Sequence, residues 1–170
     1  MMLQEHAKTK QCSVAVKSLT RKKTETGIIA SNPPWDALTV KKRIGILNND
    51  LQKLEKIEKN ETVEIYNLNV KPFYGKLRET WERFVEEILL YNVVQRFSRE
   101  IQTKRLRFLS DLTEDDYNMI ESNMKKCSTY LVGHDSSGAL IENISDILDV
   151  KEDLKVLELY LKEMRARNRK

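Results

Sequence analysis

Apolar residues near the start of the chain alternate with polar or small ones. Cys12, Val14 and Val16 lie on one side of this alternation, and Gly27-Ile28-Ile29-Ala30 follows a polar, basic turn. A period of two residues is typical of β-strands. The pattern therefore predicts two short strands joined by a loop around residues 21–26. Because a two-stranded hairpin is marginally stable alone, we expect a larger sheet or the helices to cover it.

The period changes after Asn32-Pro33-Pro34-Trp35-Asp36, where two prolines break regular structure. From Leu38 onwards, apolar residues recur every three or four positions, as on the inner face of an amphipathic helix. Four such stripes follow one another: Ile44, Leu47, Leu51 and Leu54; Phe73, Leu77, Trp81, Phe84 and Ile88; Tyr117, Ile120, Met124, Cys127 and Leu131; and Val150, Leu154, Leu157, Leu161 and Met164. The first helix is expected to run from Leu38 to about Asn60, and the last from about Ser145 to Ala166.

The limits of the two middle helices depend on particular residues. Pro72 is expected at the start of the second helix, where a missing N–H costs nothing. The third helix is expected to begin at Thr113, with Asp116 completing its N-terminal hydrogen bonds, and to end at Gly133. The polar sequence His134-Asp135-Ser136-Ser137-Gly138 then forms a loop.

These patterns predict a mainly α fold, an antiparallel bundle of about four helices preceded by a short two-stranded β element. The second stripe is expected to continue beyond Tyr91-Asn92 through Val93, Val94, Phe97 and Ile101. Three regions follow from the patterns: a flexible N-terminus over residues 1–11, the β element over 12–34, and a helical domain over 35–170.

The composition of the chain fits a protein that folds around a core. Of its 170 residues, 33% are charged and 40% are hydrophobic. No apolar stretch approaches the length of a membrane span, and residues 1–11 lack the apolar core of a signal peptide. Cys12 and Cys127 are far apart, which is typical of reduced thiols. We therefore expect a cytoplasmic protein that contacts no membrane.

The net charge of +4 arises largely from three basic clusters. They comprise Arg21, Lys22 and Lys23; Lys104, Arg105 and Arg107; and Arg165, Arg167 and Arg169 with Lys170. Such clusters are candidate contacts for nucleic-acid phosphates. For each of them the alternative is a solvated surface, with a basic helix end favoured by the helix dipole.

The sequence lacks the usual motifs of cofactor and metal chemistry. Its five glycines are isolated, and none precedes a Lys-Ser/Thr pair as in a phosphate-binding loop. No CxxC, HExxH or G-x-S-x-G motif occurs, and two histidines with two cysteines make a poor zinc site. We therefore expect neither a cofactor nor a metal, and any activity must use few residues.

Two passages of the sequence are more particular than a generic helix. They are PWDALTVKKRIG at residues 34–45 and YGKLRETWERFVEE at 74–87, with VVQRF at 93–97, QTKRL at 102–106 and GHD at 133–135 downstream. Together they resemble the C-terminal region of large bacterial AAA-family P-loop ATPases of the RecF/SMC-like type. That group is similar in architecture to the ATPase-linked anticodon nucleases of phage defence. The resemblance covers most of the chain, from about Cys12 to Lys170.

In such ATPases the nucleotide-binding motifs lie upstream of the region that this chain resembles. The resemblance implies that residues 12–34 are the last strands of an ATPase head, and that the helices form an effector region without an ATP site. It implies an ATPase head or a second copy of the chain as protein partner. It also implies RNA, such as tRNA, or DNA as the nucleic-acid partner. A truncated gene, a split subunit and a fragment are all compatible with it.

The resemblance also implies a metal-independent ribonuclease site. Anticodon nucleases carry an Arg-x-x-x-Glu pair on a helix and a downstream histidine, as many helical ribonucleases of the HEPN class carry arginine and histidine. Arg78 and Glu82 match the pair, and His134 is the candidate histidine. Histidine would exchange protons with the 2′-hydroxyl and the 5′-oxygen, and Arg78 would stabilise the charge on the phosphate. Glu82 would orient Arg78 or act as the base.

Simpler interpretations of the same residues stay open. An Arg/Glu pair four residues apart is a common stabilising pair on helices, and a histidine after a helix end is favoured by the helix dipole. The chain is then a non-catalytic module for docking, dimerisation or nucleic-acid binding, or an inactive remnant.

Overall fold

A computed structural model describes residues 17–21, 23–30, 33–96, 98–131 and 145–167 of the chain. It contains two strands, β1 (Ser18–Thr20) and β2 (Ile28–Ala30), and four α-helices: α1 (Val40–Asn60), α2 (Val63–Phe84), α3 (Glu114–Leu131) and α4 (Ile147–Arg167). Short 3-10 segments cover Trp35–Ala37 and Thr103–Asp111, and a π-helical turn, Val85–Leu89, continues α2. The predicted mainly α fold, with four main helices after a β element, is confirmed.

The β element is a two-stranded antiparallel sheet. Ser18 pairs with Ala30 and Thr20 with Ile28. Gly27 adopts a φ of 77° before the second strand, in the left-handed region that a glycine enters without steric cost. The predicted strand residues Cys12, Val14 and Val16 lie outside the described part of the chain. Met1–Leu38 and Thr39–Lys170 form two separate compact units.

Helix α1 begins and ends within two residues of the prediction. The Thr39 side chain accepts a hydrogen bond from the Lys42 N–H (3.4 Å), which satisfies one of the free N–H groups of the first turn. The chain becomes extended at Glu61. Of the predicted stripe, Ile44, Leu47 and Leu54 are buried and Leu51 is half-buried.

Helix α2 begins nine residues earlier than predicted. It starts at Val63, so Pro72 lies inside the helix and the prediction for it was wrong. An interior proline has no N–H to donate to the carbonyl four residues before it. The helix persists because its inner face is buried on both sides of the proline, at Tyr66 and Val70 before it and at Phe73 after it.

The predicted continuation of α2 beyond Tyr91-Asn92 was also wrong. After the π-helical turn, Tyr91 and Asn92 take φ values of 48° and 55°, which no helix can accommodate. Val93 is buried, but Val94 and Ile101 are exposed. Phe97 lies outside the described residues. Residues 90–113 are called the connecting segment below.

The predicted start of α3 is confirmed. The Thr113 N–H donates to Asp116 Oδ2 (2.9 Å), and the Asp116 N–H donates to Thr113 Oγ1 (3.3 Å). The predicted inner face was partly wrong, because Tyr117 and Leu131 are exposed whereas Asp116 is buried, as Cys127 is. Gly133 and the predicted loop over 134–138 lie outside the described residues.

Polar contacts between the helices show the direction in which each of them runs. The pairs are Arg43 with the Glu79 carbonyl and Asp50 with Lys76 between α1 and α2; Asp116 with Arg167 and Lys126 with Asp153 between α3 and α4; and Asn48 with Glu158 and Glu55 with Lys151 between α1 and α4. For each of these three pairs of helices, the residue numbers in the two contacts rise on one helix and fall on the other. The helices therefore form an antiparallel bundle, as predicted.

Helices α2 and α4 run parallel and fill the centre of the bundle. Tyr74 contacts Asp153, and about two to three turns later along both helices the Phe84 ring stacks on Tyr160, with ring centroids 5.1 Å apart. The predicted stripes of both helices are buried. The start of α1, the end of α2, the start of α3 and the end of α4 consequently share one end of the bundle, where the connecting segment lies. None of the described helices is long and apolar enough to span a membrane.

Candidate functional site

Arg78 and Glu82 form the pair that their spacing predicts. They lie one turn apart on α2, with Arg78 Nη2 3.6 Å from Glu82 Oε1. Leu77 and Trp81, which precede Arg78 and Glu82 by one residue each, are fully buried, so the pair itself lies at the edge of the bundle. The Arg78 side chain is 42% exposed and that of Glu82 22%. Arg78 is therefore open to a ligand, while Glu82 is largely enclosed.

Glu82 has a second and closer partner that the sequence did not indicate. Arg96, from the connecting segment, places Nη2 2.6 Å from Glu82 Oε2 and Nε 2.8 Å from Glu86 Oε1. The hydrogen bond to Glu82 and the charges of both carboxylates raise the pKa of Arg96 above its usual value. Arg96 thereby fixes the start of the connecting segment to the end of α2.

The same cluster extends to the start of α1. Arg83 donates to Glu86 (3.0 Å) and to Glu87 (3.4 Å), and Glu87 Oε2 also accepts the Val40 N–H (3.0 Å). We call this set the arginine–glutamate network: Arg78, Arg83, Arg96, Glu82, Glu86 and Glu87. Its three positive and three negative charges balance. It can hold three parts of the fold together, but as a whole it does not attract a phosphate.

His134, the third member of the predicted ribonuclease site, lies outside the described residues. The structure therefore brings together two of the three predicted residues, Arg78 and Glu82. In the described part of the chain, no group of three or more His, Cys, Asp or Glu residues is placed to hold a metal ion.

The basic cluster of the connecting segment is mostly open to solvent. Lys104 and Arg107 are exposed, and Arg105 is half-buried and donates to the Tyr91 carbonyl (3.1 Å). The Arg107 guanidinium lies 4.9 Å from the centroid of the Phe108 ring, a cation–π distance. The Phe108 ring lies 5.2 Å from that of Tyr91. Positive charge and aromatic surface are thus combined on one short segment.

Arg167 of the C-terminal cluster is engaged in the fold. Its two Nη atoms donate to the two carboxylate oxygens of Asp116 at 2.9 and 2.7 Å, and Nη2 reaches the Asp111 carbonyl (3.4 Å). Arg165 is half-buried, and no carboxylate partner is found for it in the described ranges. Arg169 lies outside those ranges. The contact with Asp111 places the end of α4 beside the connecting segment.

The bundle core contains a polar cluster that the sequence patterns did not predict. The Tyr74 hydroxyl donates to Asp153 Oδ2 (2.8 Å) and shares a 2.6 Å hydrogen bond with Ser145 Oγ. Lys126 donates to Asp153 Oδ1 (2.6 Å); burial alone would lower the pKa of Lys126, but Asp153 raises it overall. Burial raises the pKa of the neighbouring Cys127 thiol to about 12, so this thiol is no nucleophile near neutral pH.

One signal for this cluster was present in the sequence. Asp153 follows Val150 by three residues, so it falls on the inner face of α4, and Asp116 falls likewise four residues before Ile120. A carboxylate at an inward position of an apolar stripe requires buried partners. Which partners reach it depends on the neighbouring helices, and that information is not in the stripe itself.

Comparison with protein-family models, curated proteins and solved structures found no match for this chain. The resemblance to ATPase C-terminal regions stays a prediction. Across the ranges that the structure describes, the candidate cations fall into two groups, those that face a carboxylate and those that do not. Arg78 and Arg167 each face a carboxylate, whereas Lys104 and Arg107 face none in the described residues.

Proposed function

We propose that the chain is a nucleic-acid-binding helical module whose contact surface is the connecting segment. This segment carries five basic and two acidic side chains. Arg99, Lys104 and Arg107 are exposed and have no carboxylate partner in the part of the chain that the structure describes. These three uncompensated cations on one segment are the observation that carries the proposal.

The charge of a polyanion makes such a surface effective. Each cation that meets a phosphate releases condensed counterions, so binding weakens as the salt concentration rises. Cations already paired with glutamate contribute little, because a phosphate would have to replace an existing partner. Five of the six predicted nucleic-acid contacts lie in the described residues. Of these five, we expect Lys104 and Arg107 to contact phosphates and Arg167 to remain in the fold.

The proposal predicts a specific loss in the triple variant Arg99→Gln, Lys104→Gln, Arg107→Gln. Binding to fluorescein-labelled RNA and DNA, measured by fluorescence polarisation over a series of salt concentrations, should weaken. The slope of the logarithm of affinity against the logarithm of salt concentration should fall by about two to three, since three phosphate contacts are lost.

The matched control is Lys56→Gln, Lys59→Gln, Lys155→Gln. It removes the same charge from exposed lysines that lie away from the connecting segment. If the two triple variants have the same affinity and the same salt slope, binding follows the net charge of the chain and the proposed surface is wrong.

A ribonuclease activity of the same module is the second candidate, and one observation favours it. The Arg78 guanidinium is partly exposed and oriented by Glu82, the arrangement needed to stabilise charge on a phosphate. In the ATPase-linked setting that the resemblance implies, Arg78→Ala should abolish RNA cleavage in an intact system, while Glu79→Ala, at an exposed position of the same helix, should retain it. Cleavage that persists in Arg78→Ala contradicts this role.

A further inference from the structure

Beside its cations, the connecting segment carries apolar side chains that the fold does not cover. Phe108 is 39% exposed, Leu106 49% and Ile101 63%. The Phe108 ring packs against Tyr91, with ring planes inclined by 32°, and its remaining surface meets solvent next to the Arg107 guanidinium. Uncovered apolar surface of this kind in a basic setting indicates a ligand that is both anionic and flat.

We propose that the connecting segment binds single-stranded nucleic acid in preference to a duplex. An unpaired base packs on the exposed surface of Phe108, and Arg99, Lys104 and Arg107 contact the neighbouring phosphates. This inference rests on the proposed nucleic-acid-binding function and names the class of ligand.

The chemistry of the exposed side chains discriminates between single-stranded and duplex nucleic acid. The flat faces of bases are hidden by stacking in a duplex and are available in an unpaired strand. A duplex is read through hydrogen bonds to base edges in its grooves, and Leu106 and Phe108 cannot make them. The cations alone would serve either ligand. The aromatic and aliphatic surface beside them favours the unpaired strand, because stacking on a base of a duplex would first require that base to be unstacked.

The aromatic pair is also held in place before any ligand binds. Tyr91 and Asn92 adopt a left-handed backbone, which is unfavourable for residues other than glycine and persists only when neighbours hold it. Here the Asn92 N–H donates to the Glu86 carbonyl (2.8 Å), and Arg105 donates to the Tyr91 carbonyl (3.1 Å). Because the rings are already ordered, less conformational entropy is lost on binding.

The experiment compares four fluorescein-labelled probes of one mixed sequence: single-stranded RNA, single-stranded DNA, and the duplex of each. Fluorescence polarisation with the full chain should show tighter binding of the single strands. Phe108→Ala should weaken single-strand binding by about 5- to 150-fold and leave its salt slope unchanged, since a stacking contact and no phosphate contact is lost.

Two further variants control for the fold. Phe108→Tyr keeps the ring and should retain the affinity of the original chain. Leu68→Ala removes an exposed apolar side chain (73% exposed) on α2, away from the connecting segment, and should have no effect. Circular dichroism verifies that each variant is folded.

The outcomes separate this inference from the proposed function. Equal or tighter binding of the duplexes, or an affinity unchanged in Phe108→Ala, overturns the single-strand preference and leaves nucleic-acid binding intact. Binding of none of the four probes overturns both. Tighter binding of the single strands than of their duplexes, weakened in Phe108→Ala, supports the inference, and the more tightly bound single strand shows whether RNA or DNA is preferred.

Discussion

Asp116 shows how one carboxylate joins two helices. It is 3% exposed, caps the start of α3 through Thr113, and accepts hydrogen bonds from Tyr160 (2.6 Å) and from Arg167 on α4. Burial alone would raise the pKa of Asp116, but the hydrogen bonds from Tyr160 and Thr113 and the charge of Arg167 lower it overall. The ionised carboxylate is therefore the form that stabilises the fold.

The lowered pKa of Asp116 predicts the pH range in which it stabilises the protein. Its contribution is present above the unfolded-state value near 3.8 and is lost as the pH falls through the lower folded-state value. Asp116→Asn should lower the free energy of unfolding by about 2–3 kcal/mol near neutral pH. In urea denaturation, the difference between Asp116→Asn and the original chain should shrink toward the acid end of the pH range.

The neighbouring carboxylate offers a control for that experiment. Asp115 is exposed in the same helical turn, so Asp115→Asn should change the free energy of unfolding only slightly. If the two variants lose equal stability, or if the loss in Asp116→Asn is the same at all pH values, the stabilising role of the ionised Asp116 carboxylate is contradicted.

The predicted site illustrates what a single residue pattern can and cannot reveal. The contact of Arg78 with Glu82 followed from helix geometry alone, because residues four apart share a face. The tighter contact of Glu82 with Arg96 did not follow from helix geometry. The chain turns back toward α2 through Tyr91 and Asn92, two residues with a left-handed backbone, and so brings Arg96 to Glu82. Such a path is set by tertiary hydrogen bonds and leaves no period in the sequence.

At the scale of the elements, Pro72 is the clearest conflict between local preference and fold. The sequence places it where a helix could begin, yet α2 passes through it. Its inner-face neighbours Val70, Phe73 and Tyr74 are 0–3% exposed, and their burial outweighs the missing hydrogen bond. Tertiary packing thus overrides a local signal for the helix start.

Replacing this proline should therefore stabilise the protein. Pro72 is exposed, so in Pro72→Ala the new methyl group meets no neighbour in the core, and the new N–H can donate to the Leu68 carbonyl. The free energy of unfolding should rise by about 1–3 kcal/mol, measured by urea denaturation. Glu79→Ala, at another exposed position of α2, adds no hydrogen bond and should change stability much less. An equal gain in both variants would contradict the explanation.

Helices α3 and α4 show when an apolar stripe is sufficient to predict which residues are buried. The stripe of α4 from Val150 to Met164 was correct at every position, because this helix contributes to the centre of the bundle and is buried along its length. The stripe of α3 failed at Tyr117 and Leu131. Helix α3 is half-covered, and Asp116 takes an inward place that periodicity assigns to an apolar residue.

For the whole molecule, four amphipathic stripes were enough to predict a mainly α bundle, since each stripe has to be buried against the others. The polar contacts between neighbouring helices could not be predicted from the stripes. Asp153 with Lys126 and Tyr74, and Asp116 with Arg167, join residues far apart in the chain. They form only after the helices have met.

The connecting segment gains its function, as we propose it, from the bundle as a whole. Arg96 attaches its first part to α2, and the contact of Arg167 with the Asp111 carbonyl attaches its last part to α4. The exposed residues between these anchors, Lys104 and Arg107 among them, are therefore presented in a fixed place although they belong to no long helix.

The parallel arrangement of α2 and α4 also has a consequence for synthesis on the ribosome. The inner face of α2 is completed by α4, and Tyr74 is separated from its partner Asp153 by 79 residues. At roughly 5–20 residues per second, about 4–16 seconds pass before that partner is made. During this time Trp81 and Phe84 lack the Tyr160 ring that covers them in the finished bundle. The nascent chain is thus most exposed to aggregation, and most in need of a chaperone, just before its last helix emerges.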